Sequence, residues 1–262
     1  MVRRTALTRQ YLFVSFTHRR SPAGAAGVTI CGRSEDKGAA VVAEIAALDL
    51  AGKAIYVKAD LTNPADIEMI AAKTDLAFGK CDGLVNCAAA AVRGEWGEIT
   101  PEHCDWLYKL NMRAPILMTQ AASKLMIRGG SGGSVVNIGS INSHGGQSNL
   151  TMYSCTKGAL VTMTKHASWA LRKDHIRSNY IAVGWMSTPA EDAIQKSEGE
   201  GDDWLVRADA AHPLGRILRP VDVAKLVVHL LSDDAAMQSG SVIDFHSKFG
   251  LCCWDGHPGL EE

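Results

Sequence analysis

The chain has 262 residues, 47% of them hydrophobic, with 27 basic residues against 28 acidic and seven cysteines. That length and apolar share suit one large α/β core, the near-neutral charge argues against generic attraction to nucleic acid, and no apolar run approaches the length of a membrane span. The odd cysteine count, without disulfide-framework or metal-ligand spacing, points to reduced thiols in an intracellular compartment and to no metal site.

Charge is uneven along the chain. Residues 1–34 carry six arginines and no acid, which leaves 21 basic against 28 acidic residues in the remainder, a net of minus seven. An Arg-rich, acid-free start containing Ser and Thr has the composition of a mitochondrial transit peptide. A solvated terminus on a cytoplasmic protein is the preferred reading, with mitochondrial targeting as the alternative.

Within that start, 11–16 is an apolar run that suits a strand. Residues 17–27 are too few for a parallel crossover, which with its helix needs about a dozen or more. A hairpin, a disordered arm and a sheet missing its central first strand all stay open. From residue 28 onward, β-rich runs alternate with helical patterns, the signature of βαβ units and a parallel sheet. Strands are expected at 28–31, 54–58, 83–86, 134–138, 177–183 and 241–245, and helices at 37–48, 64–78, 101–127, 152–171 and 221–231. Thr100 before Pro101 supplies the cap and first-turn proline of a helix start. The glycine-rich stretch Gly129-Gly-Ser-Gly-Gly133 enters the amino end of a strand, whereas phosphate-cradling glycines need the opposite edge. Segment 187–213 is polar, acidic and weakly periodic, and suits either a mobile lid or a solvated insertion.

The chemistry concentrates near the middle. Val-Val-Asn-Ile-Gly-Ser140 is followed thirteen residues later by Tyr153-Ser-Cys-Thr-Lys157. If Tyr153 opens a helix, Lys157 lies one turn above it on the same face. A phenol titrating near pH 10 is a weak acid at neutral pH, and a fixed positive charge beside it brings its proton transfer toward working range. Ser140, just past a strand's carboxyl end, stands at the edge where open α/β sheets bind ligands and can hold a carbonyl oxygen for the tyrosine to protonate. Tyr-x-x-x-Lys alone is common by chance, and it is the placement of Ser140 that strengthens it. Cys155, two positions along the helix from both partners, points away from them.

With those residues on this alternating framework, the chain resembles the short-chain dehydrogenase/reductase family, from about Gly27 to about Phe245. The resemblance implies a single-domain, Rossmann-like, doubly wound parallel sheet over 28–262, preceded by an atypical basic segment at 1–27, with the first βα unit atypical or missing. It implies a catalytic set of Ser140, Tyr153, Lys157 and Asn111, in which Lys157 lowers the tyrosine pKa and grips the nicotinamide ribose and Asn111 holds a water that relays protons to the lysine. Cofactor contacts are implied at Asp60 beside the adenine, at Asn86 and Ala88 in Leu-Val-Asn-Cys-Ala-Ala, at Gly184 and Thr188 beneath the nicotinamide, and at Tyr153 and Lys157. Asn179 matches the asparagine that opens the segment containing Gly184 and Thr188. Arg33, after Gly32 at the end of the second family strand, offers a fork suited to phosphate where an acid would hydrogen-bond a ribose, so NADP(H) is favoured and NAD(H) stays open. A homotetramer or homodimer is implied by the last strand, Ser239-Gly-Ser-Val-Ile-Asp. The partner is then a small-molecule alcohol or carbonyl, with neither nucleic acid nor membrane involved.

The departures from the pattern cluster at the start. The family's first strand, Thr-Gly-x-x-x-Gly-x-Gly turn and first helix have no match here; the only glycines before the next strand are Gly24 and Gly27, and Arg19 and Arg20 are weak substitutes for phosphate contacts. Ala89 stands where the family has Gly, Cys87 replaces an asparagine that braces the sheet, and Val183 replaces a proline. Two functions are therefore expected as alternatives: an NAD(P)-dependent alcohol/carbonyl oxidoreductase, or a catalytically impaired relative that keeps the fold and oligomer surface but binds dinucleotide poorly. A hydrolase using Ser140 is disfavoured because only His144 lies near it in sequence. Asn142, His144, Gln147, Trp185 and Met186 are candidates to line the substrate pocket, and their polar share hints at a sugar or polyol.

Overall fold

The computed structural model describes residues 11–15, by their backbone, and residues 27–47, 52–145 and 147–246. Seven strands, β1 (Tyr11–Ser15), β2 (Gly27–Gly32), β3 (Lys53–Lys58), β4 (Gly83–Asn86), β5 (Gly133–Ile138), β6 (Ile176–Val183) and β7 (Val242–Phe245), form one sheet in the order β3-β2-β1-β4-β5-β6-β7. Eight α-helices among the described residues are α1 (Glu35–Ala46), α2 (Pro64–Phe78), α3 (Pro101–Tyr108), α4 (Ala114–Gly129), α5 (Thr151–Ala170), α6 (Pro189–Ser197), α7 (Trp204–Ala211) and α8 (Pro220–Leu231). None is long and apolar enough to cross a membrane.

Every pairing in the sheet is parallel except those of β1. That strand lies between β2 and β4, antiparallel to both, with Tyr11 opposite Cys31, Ser15 opposite Gly27 and Leu12 opposite Val85. Of the three outcomes open in the sequence it is the hairpin, placed at the centre of the sheet. There it supplies the backbone partners that β2 and β4 would otherwise lack along their facing edges. Tyr11–Ser15 thus belongs to the sheet although the sequence groups it with the basic start. Arg19, Arg20 and Gly24 lie outside the described residues.

Helices cover both faces. On one side α2 and α4 pack Ile67, Ile70, Met118, Ala122 and Met126 onto Cys31, Leu84 and Val135; on the other, α8 packs Val223, Val227 and Leu230 onto Val85, Val136 and Ile181. Alternate residues of β5 serve the two sides, as a strand buried on both faces requires. Helix starts follow local chemistry: Asn63 before Pro64, Thr100 before Pro101 and Thr188 before Pro189 each accept from a first-turn amide. Ser34 does the same toward Lys37, so α1 begins at Glu35, two residues earlier than expected. At the end of α2, Gly79 adopts φ 70°, the left-handed turn that ends a helix without a Cβ clash.

One expectation gives way: the single helix expected over 101–127 is α3 and α4 joined by a π-helical turn at Lys109–Arg113, through which the apolar pattern runs unbroken. Segment 187–213, weakly periodic in sequence, holds α6 and α7. There Gln195, Trp204 and Ala208 are buried, an apolar signal too short to register as a period.

Candidate active site

The carboxyl ends of the parallel strands collect the chemistry-bearing residues. Ser140 follows β5 in extended conformation, and its Oγ accepts from the amide of Asn142 at 3.1 Å, which leaves its proton free to donate. Tyr153 lies in the first turn of α5 and shares a side-chain hydrogen bond with Ser140. One turn on, the Lys157 amine lies 5.7 Å from the Tyr153 ring centroid and donates to the Ile138 carbonyl at 2.8 Å. The three predicted catalytic groups therefore converge on one spot. Cys155 is exposed, facing away from them.

Burial shifts both titrating groups. The Tyr153 phenol is pushed up to about 12, first by desolvation and then by the nearby Tyr180 and Glu191, against a lowering bond from Ser140. The Lys157 amine is pushed down to about 8 by desolvation, with Cys87 opposing. Lys157, 3% exposed, and its phenol neighbour are each pushed toward their neutral forms, as loss of charge solvation on burial dictates.

Asn111 sits in the π-helical turn, where the widened backbone lets its side chain reach across to the connection after β4. Its Oδ1 accepts from the Ala90 amide and its Nδ2 donates to the Ala90 carbonyl, each at 2.9 Å, while Nδ2 also reaches Thr156 Oγ1 at 3.2 Å. Both amide protons are thus committed, leaving one lone pair on Oδ1 for the water-holding role the resemblance implies. Thr156 in turn donates to the Tyr153 carbonyl, so Asn111 braces the helix that carries the tyrosine.

A residue not foreseen in the sequence holds the cluster together. Tyr180, fully buried in β6, accepts from the Ser140 amide at 3.0 Å, and its hydroxyl lies 3.3 Å from both the Ser140 and the Lys157 carbonyls. Gly139 makes this contact feasible, because a Cβ there would fall 1.8 Å from the Tyr180 ring. That glycine beside the catalytic serine was the available sequence signal. Behind the site, Asn86 Nδ2 bonds Asn137 Oδ1 at 2.7 Å and Thr119 Oγ1 at 3.1 Å, and Asn137 bonds Thr164 at 2.9 Å, tying β4 and β5 to α4 and α5.

The residues expected to hold a cofactor spread along the same edge. Arg33, just beyond β2, is exposed and makes no ion pair with any described residue. Its turn is held by Tyr56, whose hydroxyl lies 2.6 Å from the Gly32 carbonyl and 2.7 Å from that of Ser34, a second scaffold tyrosine missed in the sequence. Asp60, after β3, accepts from Thr62 at 2.9 Å and 2.8 Å and is exposed. Asn86 ends β4 with its Oδ1 buried and without a partner among the described residues. Ala88 packs half-buried against the core, Gly184 donates its amide to the Phe245 carbonyl at 3.1 Å, and Thr188 caps α6. Asn179 instead ties β6 to the turn before β7, through the Gln238 carbonyl and the Ser241 amide.

Between Arg33 and Asn86 the edge changes character. A parallel central strand would end there in a turn and a helix start; here Tyr11, the first residue of the reversed β1, lies level with Cys31. The connection from Ser15 to Gly27 begins and ends at the opposite edge.

On the substrate side, Asn142 is buried with Oδ1 unpartnered among the described residues, and Gln147 faces its Nδ2 at 3.5 Å. His144 is turned away to Asp244 at 2.9 Å, which removes it both from the pocket wall and from any pairing with Ser140. Trp185 stacks on Trp204 with centroids 5.9 Å apart, and Met186 packs on the α8 core. An ion pair of 2.5 Å between Arg93 and Glu198 joins the connections that follow β4 and β6. No group of three or more His, Cys, Asp or Glu side chains is gathered for a metal among the described residues.

Comparison with known proteins agrees with this geometry. Residues 19–246 match a family model described as enoyl-(acyl carrier protein) reductase. An L-rhamnose 1-dehydrogenase (NAD(P)(+)) from a Sphingomonas species is 32% identical over 77% of this chain and 77% of its own length. A galactitol 2-dehydrogenase from Agrobacterium fabrum is 33% identical over 72% of this chain and 75% of its own. Among solved structures, a short-chain type dehydrogenase/reductase from Mycobacterium ulcerans superimposes with TM-score 0.77 at 31% identity, covering 85% of this chain and 80% of that one.

Proposed function

The chain belongs to the short-chain dehydrogenase/reductase family of oxidoreductases, and from that premise we propose that it interconverts a polyhydroxylated alcohol and its carbonyl, with NADP(H) as the favoured hydride carrier and NAD(H) as the alternative. The convergence of Ser140, Tyr153 and Lys157 at the carboxyl edge carries this reading. The residues present fit the two ends of a dinucleotide. At the nicotinamide end, the Lys157 ammonium has two donors beyond the one given to Ile138. Thr188 adds a hydroxyl there, and at the adenosine end Arg33 offers a free guanidinium for a 2′-phosphate.

A bound nicotinamide dinucleotide supplies or takes the hydride at the substrate carbon. In reduction, Ser140 Oγ donates to the carbonyl oxygen and Tyr153 gives that oxygen its proton. With its phenol at about 12, Tyr153 holds a proton throughout the neutral range. In oxidation it must first lose that proton, so oxidation speeds up toward alkaline pH. Below about pH 8 the charge on Lys157 stabilises the developing phenolate. The unpaired, buried Asn142 carbonyl and the carbohydrate names of the two relatives support a polyol or sugar as substrate. Exposed Ile116 and Ile127 on α4 and Trp169 on α5 support assembly as a homodimer or homotetramer.

A specific observation favours a second reading, a relative that keeps the fold but binds dinucleotide poorly: β1 runs antiparallel, so no strand followed by a helix start ends between β2 and β4 at the edge where a pyrophosphate is ordinarily received. One titration separates the two. Saturable quenching of tryptophan fluorescence by NADPH, with turnover of galactitol ahead of steroids and aliphatic ketones, is expected for the oxidoreductase. An unsaturable signal sinks that reading and leaves the second.

A further inference from the structure

Helix α6 carries two acids in its first turn and a third just past its end, and their surroundings differ. Asp192 pairs with Lys196 at 3.2 Å, and Glu198, just past the helix, pairs with Arg93. Glu191, half-buried between them, has no cation partner among the described residues. Its Oε1 accepts from the indole nitrogen of Trp185 and from the amide of Gln195, both at 2.8 Å. Gln195 is itself buried, so the carboxylate is held from behind. A carboxylate has about four lone-pair sites, and both donors use the same oxygen, leaving Oε2 without a partner among the described residues. Trp185 stands two residues past the carboxyl end of β6, the strand paired with β5, so Glu191 lies at the same sheet edge as Ser140, within electrostatic reach of the Tyr153 phenol.

We infer that Glu191 selects the substrate, its Oε2 accepting a hydrogen bond from a second hydroxyl of a polyol whose first oxygen lies at Ser140 and Tyr153. The inference rests on the oxidoreductase reading above and deepens it. A carboxylate already fixed by two donors loses little further freedom on binding and gives a charge-assisted bond, whereas a substrate lacking that hydroxyl strips water from Oε2 without replacing it. Trp185, half-buried against the buried Trp204, offers aromatic surface beside it that suits the C–H face of a sugar. An ammonium would also suit a free carboxylate, but the Lys157 charge within the same cluster opposes a cationic substrate.

The test is a ligand-observed NMR titration of the full chain with galactitol, 2-pentanol and 2-amino-1-butanol, repeated for Glu191→Gln and Glu191→Asp. The Gln side chain keeps the oxygen that Trp185 and Gln195 hold, so the wall of the pocket stays in place. Glu191→Gln is expected to weaken galactitol by about tenfold and to leave 2-pentanol unchanged, with Glu191→Asp recovering part of the loss. Absence of galactitol binding to the unsubstituted chain, equal loss of galactitol and 2-pentanol, no loss of either, or tighter binding of the amino alcohol would each overturn it. Selective binding without any turnover counts against the reaction proposed above and not against Glu191. Galactitol turnover that survives Glu191→Gln unchanged does the reverse.

Discussion

The two halves of the sheet differ in what they deliver to the carboxyl edge. From β4 to β7 every strand is parallel, and each connection brings a working part: Asn86, Ser140, Gly184 and Thr188, fastened by Asn137, Thr164 and Tyr180. From β3 to β1 the strand order of the fold is kept, but the central strand runs backwards. Its backbone pairs with both neighbours, so a reversed strand can complete the sheet. Polarity decides something else, namely which edge receives the connections, and an antiparallel strand sends its outgoing loop away from the site. Strand order and ligand binding are thus separable properties of one sheet.

The largest effect should come from the half that is complete. Tyr153→Phe removes the proton donor and leaves the packing, so turnover is expected to fall by about a hundred- to ten-thousandfold with an unchanged circular dichroism spectrum. A loss below tenfold would mean that the proton comes from elsewhere. Lys157 tests the enclosure of that half. Burial lowers its pKa from 10.5 to about 8, so the folded chain releases a proton that the unfolded chain still holds between those values, and stability rises with pH across that window. Lys157→Met should abolish turnover yet raise stability at pH 7 by about 1–2 kcal/mol, after loss of the bond to Ile138, and flatten the rise. Urea denaturation at pH 7 and pH 9.5 measures this; equal pH slopes for both chains would place the amine in solvent.

Arg33 probes the other half. On the proposed reading Arg33 meets the 2′-phosphate, so Arg33→Ala should weaken NADPH by about tenfold while barely moving NADH. Equal effects on both would make Arg33 an adenine contact. The smallest change is expected from Tyr180→Phe, which loses the hydroxyl joining Ser140 to Lys157 but keeps the ring over Gly139; about 1 kcal/mol of stability and a severalfold drop in turnover would follow. Thermal unfolding and steady-state kinetics read the two together.

Much of this was legible in the sequence for local reasons. β-branched runs gave the strands, Thr100-Pro101 gave a helix start, and Ser140, Tyr153 and Lys157 came together because a strand end and one helical turn fix their spacing. The direction of β1 was not legible, since side chains alternate along a strand identically from either end. Tyr56 and Tyr180 do not stand out in the sequence, because the partners that give them a role, the carbonyls of Gly32, Ser34, Ser140 and Lys157, belong to other elements. The shift of Lys157 depends on enclosure by β5 and α5, which no spacing of residues encodes.

The π-helical turn at Lys109–Arg113 has a consequence for how this chain tolerates length changes. Such a turn amounts to one residue inserted into an α-helix without disturbing the phase of the flanking segments. Removing a single residue there would leave the buried faces of α3 and α4 aligned and improve the helical ladder, while swinging Asn111 off Ala90. Deletion scanning of 101–129 would then find one permissive point for folding, coincident with a loss of catalysis.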